Sequence, residues 1–191
     1  MGIRTTKTEV HWNYFLAIER DIEVLSRYVE FDERNFRCFS IEIARIILSA
    51  CAEVDVVCKQ MCRANNSNSK AESINVYRTE IKSIVPGIPD FQVLMPRFGL
   101  TLQPWDEWRS RTGVPIWWTA YNKIKHHRDS HYHQASLRNA LNAVAGLFVV
   151  VLYLYKDKAR LGELLPAPQL LKVGVAHDGG FIVGGNAAYD L

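Results

Sequence analysis

Apolar positions recur at helical spacing over most of the chain. Phe15, Ile18, Ile22, Leu25 and Val29 share one face of a first helix that runs to about Phe31, and Thr6-x-x-Glu9 ahead of it has the form of a capping box. Ser40 is placed to cap a second helix, to about Arg63, with Ala44, Ile47, Cys51, Val54, Cys58 and Met61 as its apolar stripe. Asn65-Asn66-Ser67-Asn68 predicts a loop. Ser69-x-x-Glu72 is a second capping box, and Ile74, Tyr77, Ile81 and Ile84 continue as a third helix until Pro86-Gly87 stops it. Residues 86–112 contain Pro86, Pro89, Pro96 and Pro104 and read as connection, with one short turn from Pro104 through Trp108. Pro115 opens a fourth helix with Trp117, Tyr121 and Ile124 on one side, ending near His127. Residues 128–135 read as a link, after which Ser136 caps the longest apolar helix, from Leu137 to about Lys156.

That last helix, centred on Leu141, Val144, Phe148 and Leu152, is apolar on nearly every side and belongs at the centre of a bundle. Its unbroken apolar run, residues 140–155, is 16 residues long and contains Asn142, so it is short of the roughly 20 needed to cross a bilayer. A buried core helix without membrane association is expected. Beyond Pro166 and Pro168 the period changes: residues 171–175 and 181–183 flank His177-Asp178-Gly179-Gly180 in the manner of a β-hairpin. The expected fold is all-α, an up-and-down bundle of four to five helices in residues 1–160, followed by an extension over 161–191 with a small C-terminal β-hairpin.

Composition narrows the class. With 191 residues, 48% hydrophobic and 23% charged, the chain is neither disordered nor collagen-like and can bury a real core. Four cysteines and a polar start predict a reducing cytoplasm and no disulfide scaffold. The net charge of +3 is localised. Lys123, Lys125, Arg128 and Arg138 against Asp129 place all of it in residues 115–138, where four of the six histidines (His126, His127, His131, His133) also fall. A positive site on a neutral body suits a small anion or a few phosphates better than a long duplex.

On a helix, Asn122 and His126 lie one turn apart with Lys125 beside them and Arg128 just past the end. An imidazole exchanges protons near neutral pH, and Lys and Arg hold an anion in place, so these are the parts of a phosphodiester-cleaving or phosphate-binding site. Lys123 and His133 add to its phosphate contacts, and the free N–H groups at Ser136 attract anions. Cations at a helix C-terminus also simply complement the macrodipole, but that accounts for Lys123 and Arg128 and not for four histidines in eight positions. Trp118, on the Asn122 and Lys125 side, is the candidate for stacking on a base, whereas Trp117 fills the core. Asp55 falls on the apolar stripe of the second helix, where a carboxylate needs a partner; a cation or His from residues 123–133, which it would support, is the expected one. Cys58 and Cys62 read as small core residues. No paired C-x-x-C, H-E-x-x-H or Gly-rich phosphate motif is present, so neither metal nor cofactor is expected.

The order of helices, with a polar motif ahead of a final apolar helix, resembles the HEPN superfamily of prokaryotic toxins, abortive-infection (phage-defence) proteins and RNA-processing factors. The resemblance covers roughly residues 8–158 in architecture and about a dozen residues in motif. In that family a dimeric four- or five-helix bundle commonly carries Arg, a polar residue, a short spacer and His, and active members are metal-independent endoribonucleases. Two placements compete: Tyr121-Asn122-Lys123-Ile124-Lys125-His126, with Tyr121 where Arg is expected, and Arg128-Asp129-Ser130-His131-Tyr132-His133, which falls in the link. The first is preferred, with Arg128 supplying the missing cation from the other side. The resemblance then implies an RNA- or nucleotide-binding protein in which His126 is general acid or base, Arg128 and Lys125 stabilise phosphorane charge, Asn122 orients the phosphate and Asp55 supports the site. The rival reading is a non-catalytic dimeric interaction module whose basic segment docks an acidic partner or a small anion. Both expect a homodimer, because the last helix is apolar on more sides than its neighbours readily cover.

Overall fold

Ser40 and Ser136 stand in extended backbone, and each hydroxyl accepts a hydrogen bond from the N–H three residues on, Ile43 at 3.1 Å and Asn139 at 3.4 Å. The two longest helices therefore begin where side-chain capping satisfies their free donors. The structure is a computed structural model and describes residues 8–173, 180–183, 186–189 and 191. Over these the chain is mostly helical with a small antiparallel sheet. The helices are α1 (Val10–Leu25), α2 (Ile41–Asn65), α3 (Ile74–Ile84), α4 (Ile116–His131), α5 (Leu137–Leu154) and α6 (Lys156–Arg160). The strands are β1 (Val93–Met95), β2 (Leu100–Leu102), β3 (Lys172–Val173), β4 (Gly180–Val183) and β5 (Asn186–Tyr189).

Helix α5 lies against α2 along its length and against α1 and α4 beside it. It is long and apolar enough to cross a membrane, and it is mostly buried within the protein. Phe148 stacks on Phe15 of α1 at 5.0 Å between ring centres. On the α4 side Trp117 packs so closely on Gly146 that a Cβ there would meet the indole at 2.8 Å, so only glycine fits. The indoles of Trp105 and Trp117 donate to the carbonyls of Gly146 (3.3 Å) and Pro104 (2.7 Å), which satisfies polar atoms that burial would otherwise strand.

Several boundaries differ from expectation. Helix α1 stops at Leu25, six residues before Phe31, and turns through Ser26, whose hydroxyl donates to the Glu23 carbonyl; Thr6 of the capping box lies outside the described residues. Helix α3 starts at Ile74, because the Ser69 hydroxyl donates to Glu80 at 2.7 Å and does not cap with Glu72. The stretch 86–112, expected as connection, contains the β1–β2 pair, turned at Gly99 with φ of +63°, a conformation that favours glycine. Among the described residues the expected hairpin partners pair elsewhere: β3 pairs with β1 (Val173 opposite Val93), and β4, which contains residues 181–183, pairs with β5, while residues 174 and 175 lie outside the described residues. The turn at His177-Asp178-Gly179 lies outside the described residues.

The segment leading into β3 is held by a buried acid. Glu19 of α1 is 2% exposed and accepts the backbone N–H groups of Gln169 (3.0 Å), Leu170 (2.9 Å) and Leu171 (3.0 Å). Beside it the Trp12 indole donates to the Pro166 carbonyl at 3.2 Å, and Leu164, Leu170 and Leu171 are buried in the same core. A buried carboxylate is tolerable when several donors surround it. Removing it strands three N–H groups, so Glu19→Ala should lower stability by about 3 kcal/mol, and Glu19→Gln, which keeps one acceptor oxygen, by less. Urea unfolding of the two variants checks this as an ordered loss of midpoint.

Candidate anion-binding site

Helix α4 begins directly after Pro115, which stands at its N-cap position with no side-chain capping bond, and it buries Trp117, Trp118, Ala120, Tyr121 and Ile124, which leaves its polar positions facing outward. It breaks at His127, whose φ of −142° and ψ of 42° are not helical, and resumes over residues 128–131 before a 3₁₀ turn at Tyr132–Gln134. The expected helix end near His127 is this kink, and the expected link after it is largely helical. The kink strings the imidazoles together: ring centres lie 6.4 Å apart for His126 and His127, 6.3 Å for His127 and His131, and 6.3 Å for His131 and His133. His126, His127 and His133 are exposed and His131 is half-buried. Ser130 Oγ lies 3.0 Å from His131 Nδ1, and Gln134 Nε2 lies 2.8 Å from His133 Nε2. Among the described residues the one imidazole paired with a carboxylate is elsewhere, His11 on Glu53 at 2.5 Å.

The nominated residues divide. Asn122, Lys123, Lys125 and His126 precede the kink, with Lys125 Nζ held 5.5 Å from the Tyr121 ring centre and Asn122 Nδ2 donating to the Trp118 carbonyl at 3.2 Å. Arg128 is past it, in a cavity of about 620 Å³ with Asp129, Tyr132 and the α2 residues Ile41, Ala44, Arg45 and Leu48. His133 lines another, of about 740 Å³, with Arg34, Arg37, Arg138 and Asn139. His126 lines neither of these two, so the single cavity expected for His126, Arg128 and Asn122 or Lys125 is not either of them; past the break at His127, Arg128 lies with α2. Trp118 is 6% exposed and packs on Tyr121 at 5.3 Å; it is a core residue and presents no face for a base.

Asp55 also has other partners than expected. Its carboxylate takes Lys59 Nζ at 2.5 Å, one turn on, and the Tyr77 hydroxyl of α3 at 2.7 Å. It joins α2 to α3 and makes no bond to residues 121–133. Cys58 and Cys62 are buried beside it as free thiols. Among the described residues no three His, Cys, Asp or Glu side chains are grouped to hold a metal ion.

No protein-family model, no curated protein and no solved structure matches the chain. The chemistry of the surface therefore rests on its own groups: three exposed imidazoles and one half-buried one, and the cations Lys123, Lys125 and Arg128, which have no acid partner among the described residues. Two cations were not nominated from sequence. Arg34 and Arg37 reach the start of α5 because Leu137 N donates to the Cys38 carbonyl at 2.8 Å and Arg138 N to the Phe36 carbonyl at 3.2 Å, a backbone zipper between distant segments. Nothing local in the sequence announces such a pairing.

The network around Asp55 has a pH signature. Burial, reinforced by the nearby Glu80 carboxylate, pushes the Cys62 thiol from its ordinary 9.0 up to about 12, and burial with the Asp55 hydrogen bond pushes the Tyr77 hydroxyl up as well. Above about pH 9 the unfolded thiol loses its proton while the folded one keeps it, so this stability is complete below pH 9 and is lost as pH rises toward 12. Cys62→Ala should show a smaller loss of urea midpoint than wild type across that window, whatever its stability at neutral pH.

Proposed function

We propose that the protein is an HEPN-like helical-bundle protein that binds RNA, or a nucleotide, through the basic segment at the end of α4. The observation that carries this is the run of four imidazoles at 6.3–6.4 Å spacing, flanked by Lys123, Lys125 and Arg128. A repeated donor on an exposed edge matches a repeated anion, and each phosphate neutralised releases counterions. The helical backbone of residues 128–131 supports the motif placement Arg128-Asp129-Ser130-His131-Tyr132-His133 alongside the one ending at His126.

On this reading the imidazoles and cations of the surface also serve RNA cleavage without a metal. In that reaction the ribose 2′-oxygen bonds the adjacent phosphorus as its P–O5′ bond breaks, leaving a 2′,3′-cyclic phosphate; the His126 imidazole, with Lys125 one residue before it, takes the hydroxyl proton, a second imidazole of the strip gives a proton to the departing 5′-oxygen, and Arg128, past the kink, holds a neighbouring phosphate. The chain acts as a homodimer in a reducing cytoplasm on this reading, as an up-and-down bundle carrying a C-terminal hairpin, and the resemblance extends the proposal to a toxin or phage-defence role.

The rival, a non-catalytic dimeric interaction module, draws on a different feature. Ile41 is 79% exposed and Phe39 48% exposed beside the groove of Ala44, Leu48 and Tyr132, and the Tyr132 hydroxyl is buried with no partner among the described residues. Fluorescence anisotropy with single-stranded RNA separates the two. Binding should weaken with salt at a slope of about −0.7 in log K per phosphate contacted, and Arg128→Ala and Lys125→Ala should each flatten that slope by about 0.7. The same samples, incubated in EDTA, read cleavage, which His126→Ala should abolish while binding persists. Absence of binding at low salt, with a dimer in sedimentation, would favour the interaction module.

A further inference from the structure

The start of α5 and the outer edge of β2 border a cleft of about 680 Å³, within the range of about 300–1,000 Å³ usual for small-molecule sites. Three amide side chains line it, and all three are tied in the same sense. Asn139 Nδ2 donates to the Gln134 carbonyl, Asn142 Nδ2 to the Arg138 carbonyl and Gln103 Nε2 to the Pro89 carbonyl, each at 2.9 Å. A backbone carbonyl only accepts, so in each pair the amide nitrogen faces it and the amide oxygen is left over. None of the three oxygens has a partner among the described residues. Asn139 is 7% exposed, and an unmet acceptor at that depth is costly unless a donor reaches it from the cleft. The Trp117 indole, which also lines the space, gives its N–H to the Pro104 carbonyl at 2.7 Å and has none to offer.

Three carboxylates line the same cleft, those of Glu33, Asp106 and Glu107. Asp106 is paired with Arg109 at 2.5 Å, but Glu33 and Glu107 have no cationic partner among the described residues. Glu107 is held in place: its Oε1 accepts the Ile116 N–H at 3.3 Å, and its backbone carbonyl lies so near Gly113 that a Cβ there would meet it at 1.7 Å. Against these acceptors stands one cation, the exposed Arg138, which also borders the neighbouring cavity of Arg34, Arg37 and His133. The acceptors are dispersed over the turn at Glu33, the residue after β2, the turn at Glu107 and the first two turns of α5. Among the described residues no three acidic, His or Cys side chains are grouped to hold a metal ion, so the lining matches a ligand whose positive charge is spread along its length. The whole chain carries +3, so its overall field does not gather cations and the attraction is local to the cleft.

We propose that this cleft binds an aliphatic polyamine of the spermidine class, its ammonium groups donating to the Glu33 and Glu107 carboxylates and to the side-chain oxygens of Asn139, Asn142 and Gln103. An ammonium group has donors and no acceptor, which is the complement of this lining. The methylenes between the charges lie on the apolar surface of Phe36 and Ile116. The site goes beyond the RNA-binding reading and holds whether or not the imidazole strip meets phosphate.

Isothermal titration at physiological salt tests it with spermidine, magnesium chloride and a tetralysine peptide, in the absence of RNA. Wild type should bind one spermidine per chain, at least tenfold more tightly than magnesium ion. Glu33→Gln/Glu107→Gln keeps an acceptor oxygen at each position and should melt as wild type, but should lose spermidine affinity at least tenfold. Glu72→Gln/Glu163→Gln removes the same charge at exposed positions outside the cleft and should bind as wild type does. Arg138→Gln, which removes the one cation of the lining, should bind spermidine more tightly. Spermidine that does not saturate, magnesium bound equally well, equal losses in the two glutamate pairs, or an Arg138→Gln variant with no gain would overturn the proposal. Tetralysine bound in preference to spermidine would overturn it in favour of a basic peptide as the occupant.

Discussion

Helix α5 buries 14 of its 18 residues, and a helix with no polar face has to be enclosed before it is stable. Helices α1, α2 and α4 provide the enclosure, and the depth of the fit is seen at Gly146, where the Trp117 ring occupies the space of a side chain. With α5 anchored along its length, its first turn is fixed at one end of the molecule. Everything that joins α4 to α5 must then lie at that end and outside the core. The clustering of histidines and cations there follows from this constraint: charged groups are excluded from the one place the connecting chain might otherwise go.

Charged groups that reach into the interior are held by hydrogen bonds to the backbone. Glu19 accepts three backbone N–H groups, buried Arg78 donates to the Asn75 side chain (2.8 Å) and the Gly113 carbonyl (2.7 Å), and Lys82 donates to the Trp108 carbonyl at 2.6 Å. Each ties a helix to an irregular segment, so the long connections around residues 86–115 and 161–173 are fastened by charge-assisted bonds as well as by apolar contact. These clamps use up the buried charges. The groups at the end of α4 are, by contrast, exposed and without acid partners.

Local chemistry made the helices legible. A serine cap acts within three residues, and an apolar stripe repeats every turn, so the starts of α2 and α5 and the buried faces of α1 to α5 can be read directly from spacing. The sheet was not legible, because strands of two and three residues carry no period and β3 pairs with β1 from 80 residues away, Val173 opposite Val93. Asp55 was correctly seen to need a partner. The partner was misjudged although Lys59, four residues on, was visible as a helical neighbour, and Tyr77 stood on the apolar stripe of α3 with a hydroxyl to donate. The basic character of residues 122–133 was legible as composition. Its geometry was not, since a break at His127 is a backbone event that separates His126 from Arg128 while bringing four imidazoles into line.

On the proposed function, this line of imidazoles, and not the apolar groove of α2, is the surface that meets phosphate. Histidine ring resonances report on it residue by residue. Titrating isotope-labelled protein with a short single-stranded RNA should shift the ring signals of His126, His127, His131 and His133 together, while His11, enclosed by Glu53 and Gln60, stays in place. Unchanged strip signals at RNA concentrations that perturb Ile41 and Leu48 would contradict it and move the contact to the groove.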